Sequence, residues 1–240
     1  MSFVINPYRF AASGTAPVSF NPADPANVFI QLDLQNPADA SQDRNGWLTS
    51  GTSFGVSVDT ARTLFGLPTT HFNVGNNIEI IGPPNFDPFS GSDFVMEVWV
   101  WRESGGIVLS AYDNIGKRQF WFAAGGALMF PSKNTFNGFF SVNNGGLITN
   151  GVWHHVVWQR RTGLTEDTHE FFIDGVLGQT LTTTVRWQAA SPAIIIGRDA
   201  NRNSPFAGNM AQLRITFGEA FYPSTGFAPP QGPFPPVPPA

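Results

Sequence analysis

Cleaving a glycosidic bond takes two carboxylates at a set separation, one protonating the leaving oxygen and one acting as nucleophile or base. One strand-like stretch could carry them, Met96-Glu97-Val98-Trp99-Val100-Trp101-Arg102-Glu103. Alternate residues of a strand share a face, and two beyond Glu97 stands Trp99, not an acid. Glu97 is therefore read as a lone, structural carboxylate and the chain as a non-enzyme. His154 and His155 are adjacent, so a regular strand points them to opposite faces, and they are read as core or hydrogen-bonded histidines rather than ligands of one metal. No G-x-S-x-G elbow supports a serine nucleophile. Two loops have the oxygen-rich composition of a Ca²⁺ site, Asp113-Asn114 and Asp199-Ala200-Asn201-Arg202-Asn203. Neither clusters carboxylates, and Asp and Asn also favour turns in their own right. No metal or other cofactor is expected, and Ca²⁺ stays an open, disfavoured alternative.

Sugar binding needs flat aromatic faces beside polar side chains. Trp121, Phe136 and Phe139, with Asn137 and Asn144 beside them, are the candidate glycan contacts. The competing reading places these aromatics in the core or a subunit interface, since the chain holds 23 Phe and needs no ligand to explain a few of them.

Strands must position any such residues. In Trp153–Arg161 the residues Trp153, His155, Val157, Gln159 and Arg161 fall on one side, and His154, Val156, Trp158 and Arg160 on the other. Aromatic and β-branched residues on both sides suit a buried strand. Polar Thr162–Asp167 reads as a hairpin loop, His169–Asp174 as the returning strand, and Asp174-Gly175 as a tight turn with positive φ. Asn27–Leu34, Asp93–Arg102, Ile107–Ala111, Gln119–Ala123, Ala127–Pro131, Phe139–Val142, Thr180–Trp187, Ile194–Gly197 and Asn209–Thr216 read as further strands, and a strand is expected to end at Ile78–Ile81. Asp59–Leu67 is expected to be one short helix capped by Asp59. Short strands separated by Gly- and Asn-bearing turns indicate a sandwich.

The hairpin block GVWHHVVWQRR…FFIDGVL resembles the laminin-G-like domains of the concanavalin A-like jelly-roll superfamily, which read W-H-H-V on one strand and D-G after the next. Asp93–Arg102 (DFVMEVWVWR), Ile194–Arg198 (IIIGR) and Phe206–Thr216 (FAGNMAQLRIT) resemble three further family strands, in family order. The resemblance implies an all-β, two-sheet antiparallel jelly-roll sandwich over residues 27–222. It also implies where hydrolytic relatives carry E-x-D-x-x-E, and here Trp99 stands in place of the Asp.

Two segments flank that sandwich: an extended N-terminal arm, 1–26, and a Pro-rich C-terminal tail, 223–240. Both carry apolar groups, Phe3, Ile5, Tyr8 and Phe10 in the arm and Phe227 and Phe234 in the tail. These are expected to attach the domain to other subunits, and the tails to be buried largely against neighbours. Charged residues make up only 12%, against about 25% in an ordinary soluble domain, so extensive burial is available. A net charge of −4 without a basic block argues against nucleic acid, and no apolar run is long enough to insert in a membrane. There is no cysteine, and the opening MSFVINPYRF lacks the basic and apolar regions of an export signal. That opening, extended through Ala11, is similar to the start of phage virion proteins bearing laminin-G-like domains. The expectation is a non-enzymatic component of a bacteriophage virion, on the outer surface of capsid or tail. Its partners would be other virion subunits, itself included, and host-surface glycans. The alternative is a free lectin.

Overall fold

In the computed structural model the described residues are 28–32, 34–35, 52–81, 93–113, 116–122, 128–131, 139–142, 148–184, 193–198 and 204–235. They form fifteen strands and no helix. In chain order these are β1 (Val28–Leu32), β2 (Thr52–Phe54), β3 (Ser57–Leu64), β4 (Leu67–Phe72), β5 (Asn77–Ile81), β6 (Phe94–Ser104), β7 (Gly106–Asp113) and β8 (Gly116–Phe122). Then follow β9 (Leu128–Pro131), β10 (Phe139–Val142), β11 (Trp153–Arg161), β12 (Asp167–Ile173), β13 (Val176–Thr183), β14 (Ala193–Ile196) and β15 (Ala207–Phe217). The first sheet runs β13-β12-β11-β6-β15-β4-β3, with β1 also paired to β15; the second runs β10-β9-β8-β7-β14-β5-β2. Both are antiparallel throughout their named pairs.

The β11–β12 hairpin pairs antiparallel, with Trp158 opposite Phe171 and Arg160 opposite His169. Its alternation decides the layers. Val156 and Trp158 join Met96, Val98, Phe171, Met210, Ile194 and Ile196 in the core between the sheets. Trp158 stands edge-on to Phe94 at 4.6 Å and stacks on Phe171 at 5.9 Å, offset and edge contacts that satisfy the ring quadrupole. The odd-numbered residues His155, Val157 and Gln159 of β11 face away from this core yet are buried too, because another segment covers them.

That segment is the C-terminal tail. Residues 219–235 cross the outer face of the first sheet without forming a strand. Tyr222 and Phe227 pack with Val95, Val157 and Phe172. Phe227 stacks on Tyr222 at 3.8 Å. Phe234 is only 4% exposed, its N–H donates to Gln212 Oε1 at 2.7 Å, and Gln31 Nε2 donates to Pro235 O. The described part of the tail thus packs against its own chain. This corrects the expected role of Phe227 and Phe234 as subunit attachment: the nearest large apolar surface is the first sheet's own outer face. Phe3, Ile5, Tyr8 and Phe10 lie outside the described residues.

The Asp174-Gly175 turn lets the tail approach. Its φ values, 51° and 76°, suit a two-residue hairpin turn. Phe227 N–H donates to Gly175 O at 2.9 Å. A Cβ on Gly175 would fall 1.9 Å from Phe227 O, so only glycine fits beneath the strap.

Asp59–Leu67 forms no helix. Strand β3 continues to Leu64 and turns at Phe65-Gly66 into β4. Asp59 does cap local N–H groups, accepting from Ala61 at 2.8 Å and Arg62 at 3.0 Å, but the capped turn is an irregularity between Asp59 and Leu64 in an antiparallel pair. Asp side chains favour both arrangements, and strand pairing chose between them.

The core also holds a titratable group. Trp158 Nε1–H donates to His169 Nδ1 at 3.2 Å, so that ring is neutral with its proton on Nε2. Burial, and then the nearby Arg160 charge, push the His169 pKa down from 6.5 to about 3. The unfolded chain takes up that proton from about pH 6.5 downward while the folded one refuses it until about pH 3. The stabilisation is complete above pH 6.5 and is lost as pH falls through that window. Unfolding free energies from urea titrations are expected to fall by up to about 1.4 kcal/mol per pH unit from this group. His169→Gln, which keeps an acceptor for Trp158, should flatten the slope; an equal slope in both proteins would refute this assignment.

Candidate functional site on the outer face of the first sheet

The outer face is built by alternation on β6, β11, β12 and β15. Under the strap it carries charge. Glu97 is fully buried and sits opposite Arg214 of β15 and Val157 of β11. Arg214 Nε–H donates to Glu97 Oε1 at 2.8 Å, and Nη2 forms an ion pair with the same oxygen at 2.6 Å. The Tyr222 hydroxyl donates to Oε2 at 2.6 Å, and His155 Nε2 meets the same oxygen at 3.0 Å. Burial alone would push the Glu97 carboxyl up, but the Arg214 charge, then the His155 and Tyr222 contacts, outweigh it and hold the pKa below its ordinary value. Burial, then the Glu97 charge, push the Tyr222 phenol well up. Beside this cluster Gln159 donates to Glu170 Oε2 and Tyr222 O, and Arg161 reaches the same two oxygens.

Beyond the strap the described residues leave the same face half-exposed. Trp101 and Trp153 are directly opposite in register, both half-buried, with ring centroids 5.9 Å apart at 69°. The β3–β4 turn curls over their neighbour Trp99: Phe65 meets Trp99 edge-on at 5.5 Å, and Leu64 and Ala211 pack against the same indole. Arg62 of β3 lies 6.0 Å over the Trp101 ring. Arg62 pairs with Glu103 at 2.7 Å and donates to Asn209 Oδ1 at 3.1 Å. His71 faces the other oxygen of Glu103 at 3.7 Å. The two ends of the face therefore differ in kind: a sealed charge cluster under the strap, and a half-exposed indole pair rimmed by Arg62, Glu103 and His71.

Glu97 and Glu103 share this face of β6 but stand six residues apart, about 20 Å along a strand. Glycosidase carboxylates stand roughly 5–9.5 Å apart. His154 and His155 point to opposite sides as expected. His154 receives the Thr149 N–H at Nε2 (3.2 Å) and meets Asp174 Oδ2 through Nδ1 at 2.7 Å, so it ties the D-G turn to the start of β11. Among the described residues no group of three or more His, Cys, Asp or Glu could hold a metal. Asp113 ends β7; Asn114 and Asp199–Asn203 lie outside the described residues.

Of the candidate glycan contacts, Trp121 falls in β8 and Phe139 in β10, both on the second sheet. Phe136, Asn137 and Asn144 lie outside the described residues. Sequence reasoning passed over Trp101, Trp153, Arg62, Glu103 and His71. The signal was there in part: Trp153 falls on the same side of β11 as His155, and Trp101 on the same side of β6 as Glu97.

A family model for the concanavalin A-like lectin/glucanase superfamily, of laminin-G type, matches residues 73–219. The chain belongs to that superfamily. Its sandwich is similar to domain 4 of a GH43 extracellular arabinanase from Geobacillus stearothermophilus, solved with arabinotriose, at 16% identity and a TM-score of 0.60. That match covers 85% of this chain and 96% of the other. It is also similar to the binding domain of Paraclostridial Mosquitocidal Protein 1, at 20% identity and a TM-score of 0.60 over 82% of this chain. The binding domain of botulinum neurotoxin DC, in complex with rat synaptotagmin II, matches at 13% identity and a TM-score of 0.54 over 80% of this chain. The chain spans about half the length of these two toxin domains, 50% and 48%. No curated protein sequence matches significantly. At these identities the superfamily's lectin-like fold is what is shared, and the sealed Glu97 cluster and open indole pair are features of this chain.

Proposed function

We propose that this chain is a non-catalytic glycan-binding module, that its contact surface is the Trp101–Trp153 end of the first sheet's outer face, and that it acts as a component of a bacteriophage virion. The carrying observation is the half-exposed indole pair held beside the Arg62–Glu103 ion pair. Pyranose C–H groups pack on flat indoles, and paired charges around the rim donate to and accept from hydroxyls. The arabinanase domain solved with arabinotriose and the toxin binding domains support a recognition role on this fold. Hydrolysis is not proposed, because Arg214, Tyr222 and His155 occupy both oxygens of Glu97.

A glycan array probed with the wild-type chain is expected to give hits, and Trp101→Ala and Trp153→Ala to lower affinity for them roughly tenfold or more, as truncating a central aromatic contact does. Hits that both variants keep would move the site elsewhere, to the Trp121 and Phe139 region of the second sheet. The virion placement rests on the phage-like opening and the apolar arm, Phe3, Ile5, Tyr8 and Phe10; the tail no longer supports it. Cosedimentation of the chain with purified particles, abolished by removing residues 1–26, is the expected result. A chain found only in the particle-free supernatant favours the free lectin.

A further inference from the structure

Two neighbouring ring nitrogens on the outer face, Trp99 Nε1 and His155 Nδ1, are among the buried polar atoms without a hydrogen-bond partner. Their residues are 8% and 0% exposed. They stand directly opposite each other on β6 and β11, with ring centroids 5.0 Å apart and planes tilted by 36°. Buried polar atoms in folded proteins nearly all find partners, and an orphaned pair at one place asks for a common one.

Glu97, held ionised by Arg214, can only accept, so His155 Nε2 carries a hydrogen where it meets Glu97 Oε2 at 3.0 Å. With that hydrogen alone on the ring Nδ1 accepts; with a second it donates. The indole Nε1–H only donates. A hydroxyl, which both accepts and donates, serves the indole and either form of His155. An ammonium would lack the lone pair for the indole.

The geometry points to a hydroxyl-reading pair, Trp99 Nε1–H and His155 Nδ1, that extends the indole surface of Trp101 and Trp153 inward under the strap and fixes one hydroxyl of an uncharged sugar. This rests on the glycan reading above. The uncharged class follows from the rim: Arg62 is paired with Glu103 at 2.7 Å and lies 3.6 Å from Asp59, so its charge is already matched by carboxylates and favours no acidic sugar. Phe65 and Phe227, both half-buried, stand edge-on to the two rings at 5.5 and 6.0 Å. Phe227 is the cover that shifts when the sugar enters, since its strap runs in irregular backbone held by the Gly175 hydrogen bond and ring contacts.

The test uses arabinotriose, cellotriose, galactotriose and chitotriose with the full chain and calorimetric titration. Trp99→Phe removes the unpartnered N–H together with part of the fused ring, so the melting temperature is expected to fall modestly from lost packing; 3-benzothienylalanine in place of Trp99 keeps the bicycle and lacks only the N–H, and is expected to leave it level or raised. Affinity for a trisaccharide the wild type binds is expected to fall about tenfold, and monodeoxy analogues should include one that wild type and Trp99→Phe bind equally. Binding that Trp101→Ala weakens but Trp99→Phe leaves unchanged overturns the hydroxyl-reading pair and spares the glycan reading. A chain with 3-benzothienylalanine in place of Trp99 and a clearly lowered melting temperature makes the N–H structural and overturns it too. If the wild type binds none of the four, both the glycan reading and this inference fall.

Discussion

A chain ended at residue 218 is expected not to fold. The strap it would lose is part of the hydrophobic interior. Val95, Val157 and Phe172 are fully buried only because Tyr222 and Phe227 lie on them. Tyr222 also accepts from Gln159 and Arg161 at its carbonyl, returns its N–H to Gln159 Oε1, and donates its hydroxyl to Glu97. Truncating one buried Phe costs about 3–5 kcal/mol, and here three aromatic anchors, Tyr222, Phe227 and Phe234, leave together. A domain's whole stability is about 5–15 kcal/mol, so the loss is of the same size as the total. Expression of residues 1–218 should give insoluble protein, or a soluble chain without a cooperative thermal transition. A folded product melting within a few degrees of the full chain would show that the sandwich closes without its strap.

Arg214→Ala should be the most damaging single substitution on the outer face. It leaves the Glu97 carboxylate buried opposite an empty site, and it removes the guanidinium that lies 4.2 Å from the Phe234 ring. Breaking a buried pair from one side costs about 3–5 kcal/mol, which for a domain of this length corresponds to about 10 °C or more in melting temperature. Replacing both partners behaves differently. Glu97→Gln with Arg214→Met removes both charges and keeps the volume, so the double variant is expected to recover most of the loss. A double variant less stable than Arg214→Ala alone would mean that packing around Phe234, not the stranded charge, carries the effect.

Much of the architecture was legible in the residues because local pattern and tertiary fold agree. The alternation of Trp153–Arg161 fixed which side chains share a face, and Asp174-Gly175 fixed a turn whose positive φ few other dipeptides tolerate. The four family-like blocks fall in β6, the β11–β12 hairpin, β14 and β15, three of which lie in the first sheet. Glu97 was readable as a lone carboxylate because its same-face neighbour is Trp99. Asp59 shows the limit of local pattern: its capping chemistry is real, yet the same hydrogen bonds serve a helix start and an irregular strand, and only pairing with β4 distinguishes them.

The composition of the tail, rich in Pro with Phe at intervals, by itself pointed to a strandless segment presenting apolar groups, and the described residues after 222 form no strand. It said nothing of whose surface they meet, because a neighbouring subunit and the chain's own sheet offer the same chemistry. Tertiary structure decided that. It also decided which tryptophans are available: Trp99, Trp101, Trp153 and Trp158 look alike in sequence, but Trp158 faces the inter-sheet core, Trp99 lies under Phe65, and Trp101 and Trp153 remain half-exposed where the strap stops. Periodicity reports the face a side chain takes, and exposure depends on what a distant segment lays over that face.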